Sequence, residues 1–521
     1  MQKQGKLELT WVGKYEEKKI EPRILVEDKT KSYGAPNSEN MLIHGDNLLA
    51  LKALEQDYSG RIKCIYIDPP YNTGSAFEYY DDGLEHSEWL NMMRPRLELL
   101  QKLLSDDGAI FISIDDDEFA YLKVLCDEIF RRINFVGTLV WEKKKKPSFL
   151  SNIGSITEYI LVYAKDKTKL PDLVYGLTTE GKKYPFNNAG NGIRVLTFPP
   201  HSVSFLFNDC VIEPQDMSGG NIVTELLDTI IVKNGINDNG FILKGEWRYS
   251  QQKLDEIVAN QEKIVISKVP FRPNHVKMGG EPKKLKNLLS VSHYGIATNE
   301  DATNESRALF GTAEAFSYPK PEMLLNILIS TITNEGDTVL DSFLGSGTTA
   351  AVAHKMGRRW IGIEFGDHAY THCKFRLDKV IDGEQGGISK AVNWQGGGGY
   401  RFYELAPSLL VPNERIPSIK QVNPEYTFEQ LCEAICKIEG FKYKPEGNMH
   451  GYSSEKRFIH IAKDFVNGEY VNSILSTLDE NESVLIYGTK IQSDLRLPSN
   501  VEIKKIPKDL LDKCTFESEV R

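Results

Sequence analysis

Residues 338–364 read TVLDSFLGSGTTAAVAHKMGRRWIGIE, a short apolar strand, a glycine loop, a helical stretch and a second apolar strand ending in an acid. Gly345 and Gly347 let the backbone approach a ligand closely, and Glu364 follows at about the 20-residue distance at which dinucleotide and related folds place a ribose-binding carboxylate. The pattern points to an adenosine-type cofactor on a doubly wound α/β sheet. Ala350 stands where a dinucleotide fingerprint has its third glycine, so the GxG pair alone describes a plain strand-to-helix turn equally well. No lysine follows Gly347, which excludes an ATP phosphate loop.

Outward from this loop, the same grammar of strand and helix occurs earlier in the chain. Met41–His44 reads as a strand, the following residues through Leu54 as a helix with Asp46 able to cap it, and IKCIYI as a strand that ends at Asp68. There Asp68-Pro69-Pro70-Tyr71 must stop the ladder, because neither proline carries an N–H. This tetrapeptide has what methyl transfer to an exocyclic amino group needs. The nitrogen lone pair is delocalised into its ring, and a carboxylate with a fixed carbonyl, from Asp68 and Pro69, would accept its hydrogens and concentrate electron density for attack. Pro70 adds rigidity, and Tyr71 can stack on a base taken out of a duplex. The bland alternative is a turn after a strand, with Asp68 as a cap.

The remaining α/β pattern comprises a helix in SEWLNMMRPRLELLQKLL, a strand in GAIFISID, a helix in EFAYLKVLCDEIF, and strands in FVGTLVW and TEYILVYAK. Such alternation predicts a parallel sheet buried on both faces. Between about 170 and 311 the sequence is irregular, polar and without alternation, which predicts a separate inserted module. The grammar resumes at YPKPEMLLNILISTIT and closes in a four-glycine run near residue 398. The expected organisation is an arm over 1–39, a core split into 40–169 and 312–405 around the insert, and a smaller α/β unit over 406–521.

Composition narrows the partners. The chain of 521 residues has 40% hydrophobic and 26% charged residues, a globular balance for two to four domains. Its opening lacks an apolar signal core, and 18 apolar residues nowhere run together, so a soluble cytoplasmic protein with no membrane contact is expected. Seven cysteines are scattered singly and suit a reducing compartment; Cys432 and Cys436, one helical turn apart, read as buried thiols and not as half of a metal site. No metal set is expected. The formal charge is −10, yet two local basic clusters stand out. One is Lys143, Lys144, Lys145 and Lys146; the other holds Lys268, Arg272, Lys277, Lys283, Lys284 and Lys286 among Phe271 and His275.

Taken together, Asp68–Tyr71 and DSFLGSGTT at 341–349 resemble the amino-group DNA methyltransferases. The order, acceptor before donor with a long variable stretch between, is similar to the permuted β class. NMLIHGDNLLALKAL, DPPYNTGSAFEYYDDGLEHSEWL, DDGAIFISIDDDE, YPKPEMLL and KVIDGEQGGISKAVNWQGGGG resemble the Mod subunits of type III restriction-modification systems, over roughly residues 5 to 410. The resemblance implies a Rossmann-like sheet that binds S-adenosyl-L-methionine. Asp341, Phe343, Gly345 and Gly347 would surround it, Glu364 would bind its ribose, Asp46 would face its adenine, and Lys320 and Thr348 would lie near its methionine end. It further implies adenine N6 as the target, since cytosine N4 enzymes more often have serine at the head of the tetrapeptide. Double-stranded DNA would be read by the variable insert, and the basic clusters, Lys143 to Lys146 ahead of the insert and Arg272 to Lys284 within it, would contact phosphates. A homodimer and a nuclease-helicase restriction subunit are the implied protein partners, the latter docking on the C-terminal unit. Three other readings stay open: methylation of cytosine N4, a recognition subunit that holds DNA and methylates weakly, and a nicotinamide or flavin enzyme that uses the same GxG turn, in whose chemistry the tetrapeptide has no role. Cytosine C5 chemistry is excluded because no cysteine follows a proline, and Cys64 reads as a strand residue.

Overall fold

The computed structural model describes residues 8–16, 20–72, 85–147, 152–313, 315–454 and 456–511. Its main sheet is built from β1 (Met41–His44), β2 (Ile62–Ile67), β3 (Leu104–Ile114), β4 (Phe135–Glu142), β5 (Thr157–Ala164), β6 (Thr338–Asp341), β7 (Arg359–Glu364) and β8 (Gly399–Leu405). The order across the sheet is Leu25–Glu27, β8, β1, β7, β6, β2, β3, β5, β4, Leu288–Leu289. From β8 to β3 all neighbours are parallel, as expected. The parallel expectation fails at the last two strands: β5 runs antiparallel to both β3 and β4. Among the described residues no helix separates β4 from β5, and only a helical crossover would return the chain in the parallel sense.

The helices that cover this sheet are α1 (Asn47–Tyr58), α2 (His86–Leu103), α3 (Phe119–Cys126), α4 (Glu322–Ser330), α5 (Thr348–Lys355) and α6 (Phe375–Ile381). In α2, Trp89, Leu90, Met93, Leu97 and Leu100 recur at helical spacing and are buried with Leu51 and Leu54 of α1 and Leu122 of α3 against Ile65, Ile67, Ile110, Ile112 and Leu340 of the strands. Each such side chain contributes roughly 1.5–3 kcal/mol on leaving water. Packing holds the sheet together, and its winding decides where a ligand can bind. β6 leads through α5 to β7 on one side, while β2 leads through α2 to β3 on the other, so the direction of winding reverses between β6 and β2. Ligands of open α/β sheets bind at such a reversal, beyond the carboxyl ends of the strands.

A second compact unit spans Val174–Leu285, which is shorter than the expected insert. Residues 286–311 belong to the first unit because Leu288 and Leu289 pair with Val140 and Trp141, and the Trp141 indole donates to the Ala297 carbonyl at 3.1 Å. The second unit is a β structure of a four-stranded sheet, a seven-stranded sheet and a two-stranded pair, with one helix at Gln251–Ala259. Its core gathers Phe186, Phe198, Phe205, Phe241, Trp247 and Phe271.

Beyond β8, within the first unit, the helix α7 (Phe428–Glu439) precedes a five-stranded sheet of Lys442–Glu446, Met449–Ser454, Arg457–Ala462, Ser483–Gly488 and Val501–Lys505. Thr427 and Gln430 cap α7 reciprocally and Gly440 ends it in the left-handed conformation. Cys432 and Cys436 are buried in its core, where burial pushes both thiols up. No helix is long and apolar enough to cross a membrane among the described residues, and these hold no metal-binding group of His, Cys, Asp and Glu.

Candidate active site

The tetrapeptide begins one residue after β2 and is held from several sides. The Trp89 indole on α2 donates to the Pro70 carbonyl at 2.8 Å, whereas the Pro69 carbonyl accepts no hydrogen bond from the described residues. Tyr71 donates its hydroxyl to Asp68 Oδ1 at 2.8 Å and lies 3.2 Å from Glu158 Oε2. Lys320 Nζ lies 2.9 Å from Asp68 Oδ1, donates to the Tyr71 hydroxyl at 2.9 Å and stands 3.4 Å from Glu158 Oε2. Lys143 closes the row with Nζ 3.0 Å from Glu158 Oε1. Both contacts on Asp68 thus fall on Oδ1, and its Oδ2 takes none among the described residues.

The electrostatics of this cluster arise from burial and pairing. Burial alone would raise Glu158, but Lys320 and Lys143 outweigh it and hold the carboxyl below its usual range. Burial opposes the charge on Lys320 likewise, and Asp68 and Glu158 prevail to push its ammonium up. Tyr71 is raised well above an ordinary phenol, first by burial and then by Asp68 and Glu158. Just past Tyr71 the backbone of Asn72 is left-handed, with φ of 62°. Its side-chain amide donates to Glu118 Oε1 at 2.7 Å, and His86 Nδ1 lies 2.6 Å from the same oxygen. This pins the exit of the loop.

The glycine loop stands on the neighbouring strand. β6 and β2 are paired through Val339 with Cys64 and Leu340 with Ile65, which brings motifs some 270 positions apart in sequence to one edge of the sheet. Asp341 Oδ1 accepts the Phe343 amide at 2.9 Å and Oδ2 accepts the Thr349 hydroxyl at 2.6 Å. Burial, with Asp68 and Glu364 adding to it, pushes the Asp341 carboxyl up to about 7. Gly345 and Gly347 have φ of 56° and 81°, and a Cβ on Gly347 would stand 3.3 Å from the Cys373 Cα. Glu364 is buried at the end of β7, accepting the Gly345 amide at 2.6 Å and the Phe365 and Gly366 amides at 2.9 and 3.1 Å. Beside it Phe365 is 61% exposed. The Ser342 hydroxyl is buried with no partner among the described residues, a polar atom left for a ligand. Acids, an unpaired hydroxyl and a glycine cradle fit a cationic adenosyl cofactor and repel a polyphosphate.

The sequence pattern of the DNA methylase family matches residues 62–374, which contain both motifs. This chain belongs to the DNA methylase family. Among its relatives, the HindVI Mod subunit of Haemophilus influenzae is 35% identical over 78% of this chain and 59% of its own length. The type III restriction-modification enzyme EcoP15I Mod subunit of Escherichia coli is 27% identical over 95% of this chain and 89% of its own. The StyLTI Mod subunit of Salmonella typhimurium is 33% identical over 64% and 51% respectively. The chain therefore spans between half and two thirds of two of these relatives.

Within this methylase framework, Asp46 caps α1 by accepting the Leu49 amide at 3.0 Å, and its Oδ2 lies 3.3 Å from Arg96. Thr348 accepts from Arg376 Nη1 at 2.8 Å, and Arg376 pairs at 2.9 Å with Glu322, itself bound to Lys355 at 2.8 Å. Lys320, placed by the resemblance near the methionine end of the cofactor, stands beside the tetrapeptide with its Nζ 2.9 Å from Asp68 Oδ1. Lys143 pairs with Glu158, while Lys144, Lys145 and Lys146 are exposed. In the second unit Arg272 donates to the Gly219 carbonyl at 2.7 Å and Lys277 pairs with Glu281 at 2.7 Å, while Lys283 and Lys284 lie on an exposed strand. The residues that sequence reasoning does not reach are Glu158, Trp89, Glu118 and Arg376. Glu158 alone has a signal, an acid inside the apolar strand TEYILVYA.

Proposed function

We propose that the chain is a site-specific DNA methyltransferase that methylates N6 of a flipped-out adenine, using S-adenosyl-L-methionine, as the modification subunit of a type III restriction-modification system. The observation that carries this is the pairing of β6 with β2, which sets the glycine loop beside Asp68–Tyr71. S-adenosyl-L-methionine supplies a methyl group on a positively charged sulfur. Asp341, Ser342, Glu364 and the glycine backbone would hold it. Asp68 and the Pro69 carbonyl would take the two amino hydrogens, since among the described residues Asp68 Oδ2 and the Pro69 carbonyl accept no hydrogen bond. Trp89 fixes the peptide through Pro70 so that this carbonyl stays aimed, and the proton lost from nitrogen passes to Asp68. Tyr71 lends its ring face to the extruded base.

Substrate and partners belong to the same proposal: double-stranded DNA contacted by the exposed lysines and the Val174–Leu285 unit, a second copy of the chain, and a nuclease-helicase subunit, all in the cytoplasm. The Mod names of the relatives support the type III assignment, and the aspartate at the head of the tetrapeptide supports adenine.

The test is transfer of labelled methyl to unmethylated duplex DNA, followed by digestion to nucleosides, with Asp68→Ala in parallel. Label is expected in N6-methyladenine and is expected to fall on the order of a hundredfold or more in the variant. Label in N4-methylcytosine would overturn the base assignment. Cofactor binding without any transfer would overturn the enzyme reading in favour of a DNA-holding subunit.

A further inference from the structure

Glu158 takes part in no motif, yet it is 5% exposed in the sheet and touches three functional neighbours. Its Oε1 faces Lys143 at 3.0 Å, and its Oε2 faces Lys320 at 3.4 Å and Tyr71 at 3.2 Å. Lys143, Glu158, Lys320 and Asp68 therefore form a row of alternating sign, two cations against two anions. Lys320 gains a charge-assisted bond to Asp68 Oδ1, which anchors the carboxylate and leaves Oδ2 to a substrate. An ammonium in that place has a cost for the chemistry. Under the function proposed above, a cationic methyl donor must enter beside it, and the amino nitrogen becomes cationic as the methyl arrives. The pairing of β6 with β2 sets Asp341 beside this row, where burial raises its carboxyl first and the charge on Asp68 adds to it.

We propose that Glu158 is a positioning residue for methyl transfer: it is the counter-charge that lets Lys320 anchor Asp68 without leaving net positive charge where the sulfonium must bind. Asp68 alone cannot neutralise Lys320 and Lys143 together. With Glu158 present the row sums to zero; with a neutral glutamine it carries one excess cation in a partly buried site, where screening by water is weak. A purely structural role would make a different demand, since glutamine preserves size and one acceptor oxygen and its loss of the other would weaken both ligands alike.

The experiment compares affinities for S-adenosyl-L-methionine and S-adenosylhomocysteine, which differ by the methyl and the sulfur charge, by calorimetry on the full chain, with turnover on DNA alongside. Glu158→Gln is expected to weaken the sulfonium ligand on the order of tenfold more than the neutral one and to lower kcat on the order of a hundredfold. Lys143→Gln in the same chain removes the excess cation, and the double variant is expected to return the affinity ratio to within about threefold of the parent and to regain at least roughly tenfold in kcat. Equal losses for both ligands, or a double variant worse than Glu158→Gln, would sink the proposal. If Glu158→Gln does not fold, Lys143→Gln alone must shift the ratio the other way, towards the sulfonium, and an unchanged ratio overturns it. A parent chain that binds the cofactor but transfers no methyl rejects the enzyme reading and this inference with it, a result distinct from any change between variants.

Discussion

Asp341 sits 2% exposed at the end of β6, and its two accepted hydrogen bonds do not offset burial, so its carboxyl is held at about 7. An acid whose folded value lies above its unfolded one lowers stability once ionised; the loss is complete above about pH 7 and is relieved as pH falls towards 3.8, where the unfolded chain also takes the proton. A cationic cofactor reverses the preference, because it binds the ionised form. Its affinity is therefore expected to tighten about tenfold between pH 6 and 8 and then level off. Asp341→Asn should flatten that profile and raise the midpoint of thermal unfolding more at pH 8 than at pH 5. Calorimetry and melting curves across this range check both signs; a wild-type affinity independent of pH would refute the assignment. The place of Asp341 at the end of a strand is legible in TVLD, but its perturbed acidity is not, since that depends first on burial by segments distant in sequence, with Asp68 and Glu364 adding to it.

The glycine loop shows what one element demands of sequence. Gly347 has φ of 81° and only 3.3 Å between its would-be Cβ and Cys373 Cα, whereas Gly60 has φ of 69° with open space around it. Both alanine substitutions incur backbone strain of about 1–2 kcal/mol, so Gly60→Ala measures strain alone. Gly347→Ala adds a clash of α5 against the segment at Cys373 and is expected to unfold at lower temperature than Gly60→Ala and to bind cofactor more weakly. Similar melting and similar affinity for the two variants would count against a tight loop. The loop, the strands around it and α2 are readable because their signals are local: apolar runs, glycines and helical spacing. The antiparallel β5 is not, because an apolar strand reads the same in either direction. Glu158 on β5 escapes sequence reading for a related reason, as its two lysines come from Lys143 and Lys320, 15 and 162 positions away.

At the scale of the whole molecule, charge and architecture separate two tasks. The chain carries −10 overall, yet the Val174–Leu285 unit has its own buried core and presents Lys283 and Lys284 on an exposed strand. No alternation is visible in that stretch of sequence because its strands are two to six residues long and change partner often, and the shorter boundary depends on Leu288 and Leu289 pairing with β4. A core built only from residues 186–271 predicts that this unit, expressed alone as Val174–Leu285, unfolds in one cooperative transition. If it supplies phosphate contacts, its DNA affinity should fall with salt, and Lys283→Ala with Lys284→Ala should reduce the logarithmic slope by about one for each lysine that contacts a phosphate. The complementary chain, with a short glycine-serine link in place of 174–285, should keep cofactor affinity, since Asp341, Glu364 and the glycine loop lie wholly in the first unit. It should lose sequence-selective methylation. Retained selectivity without the insert would move recognition into the first unit, where Lys144, Lys145 and Lys146 are the exposed cations of the basic run.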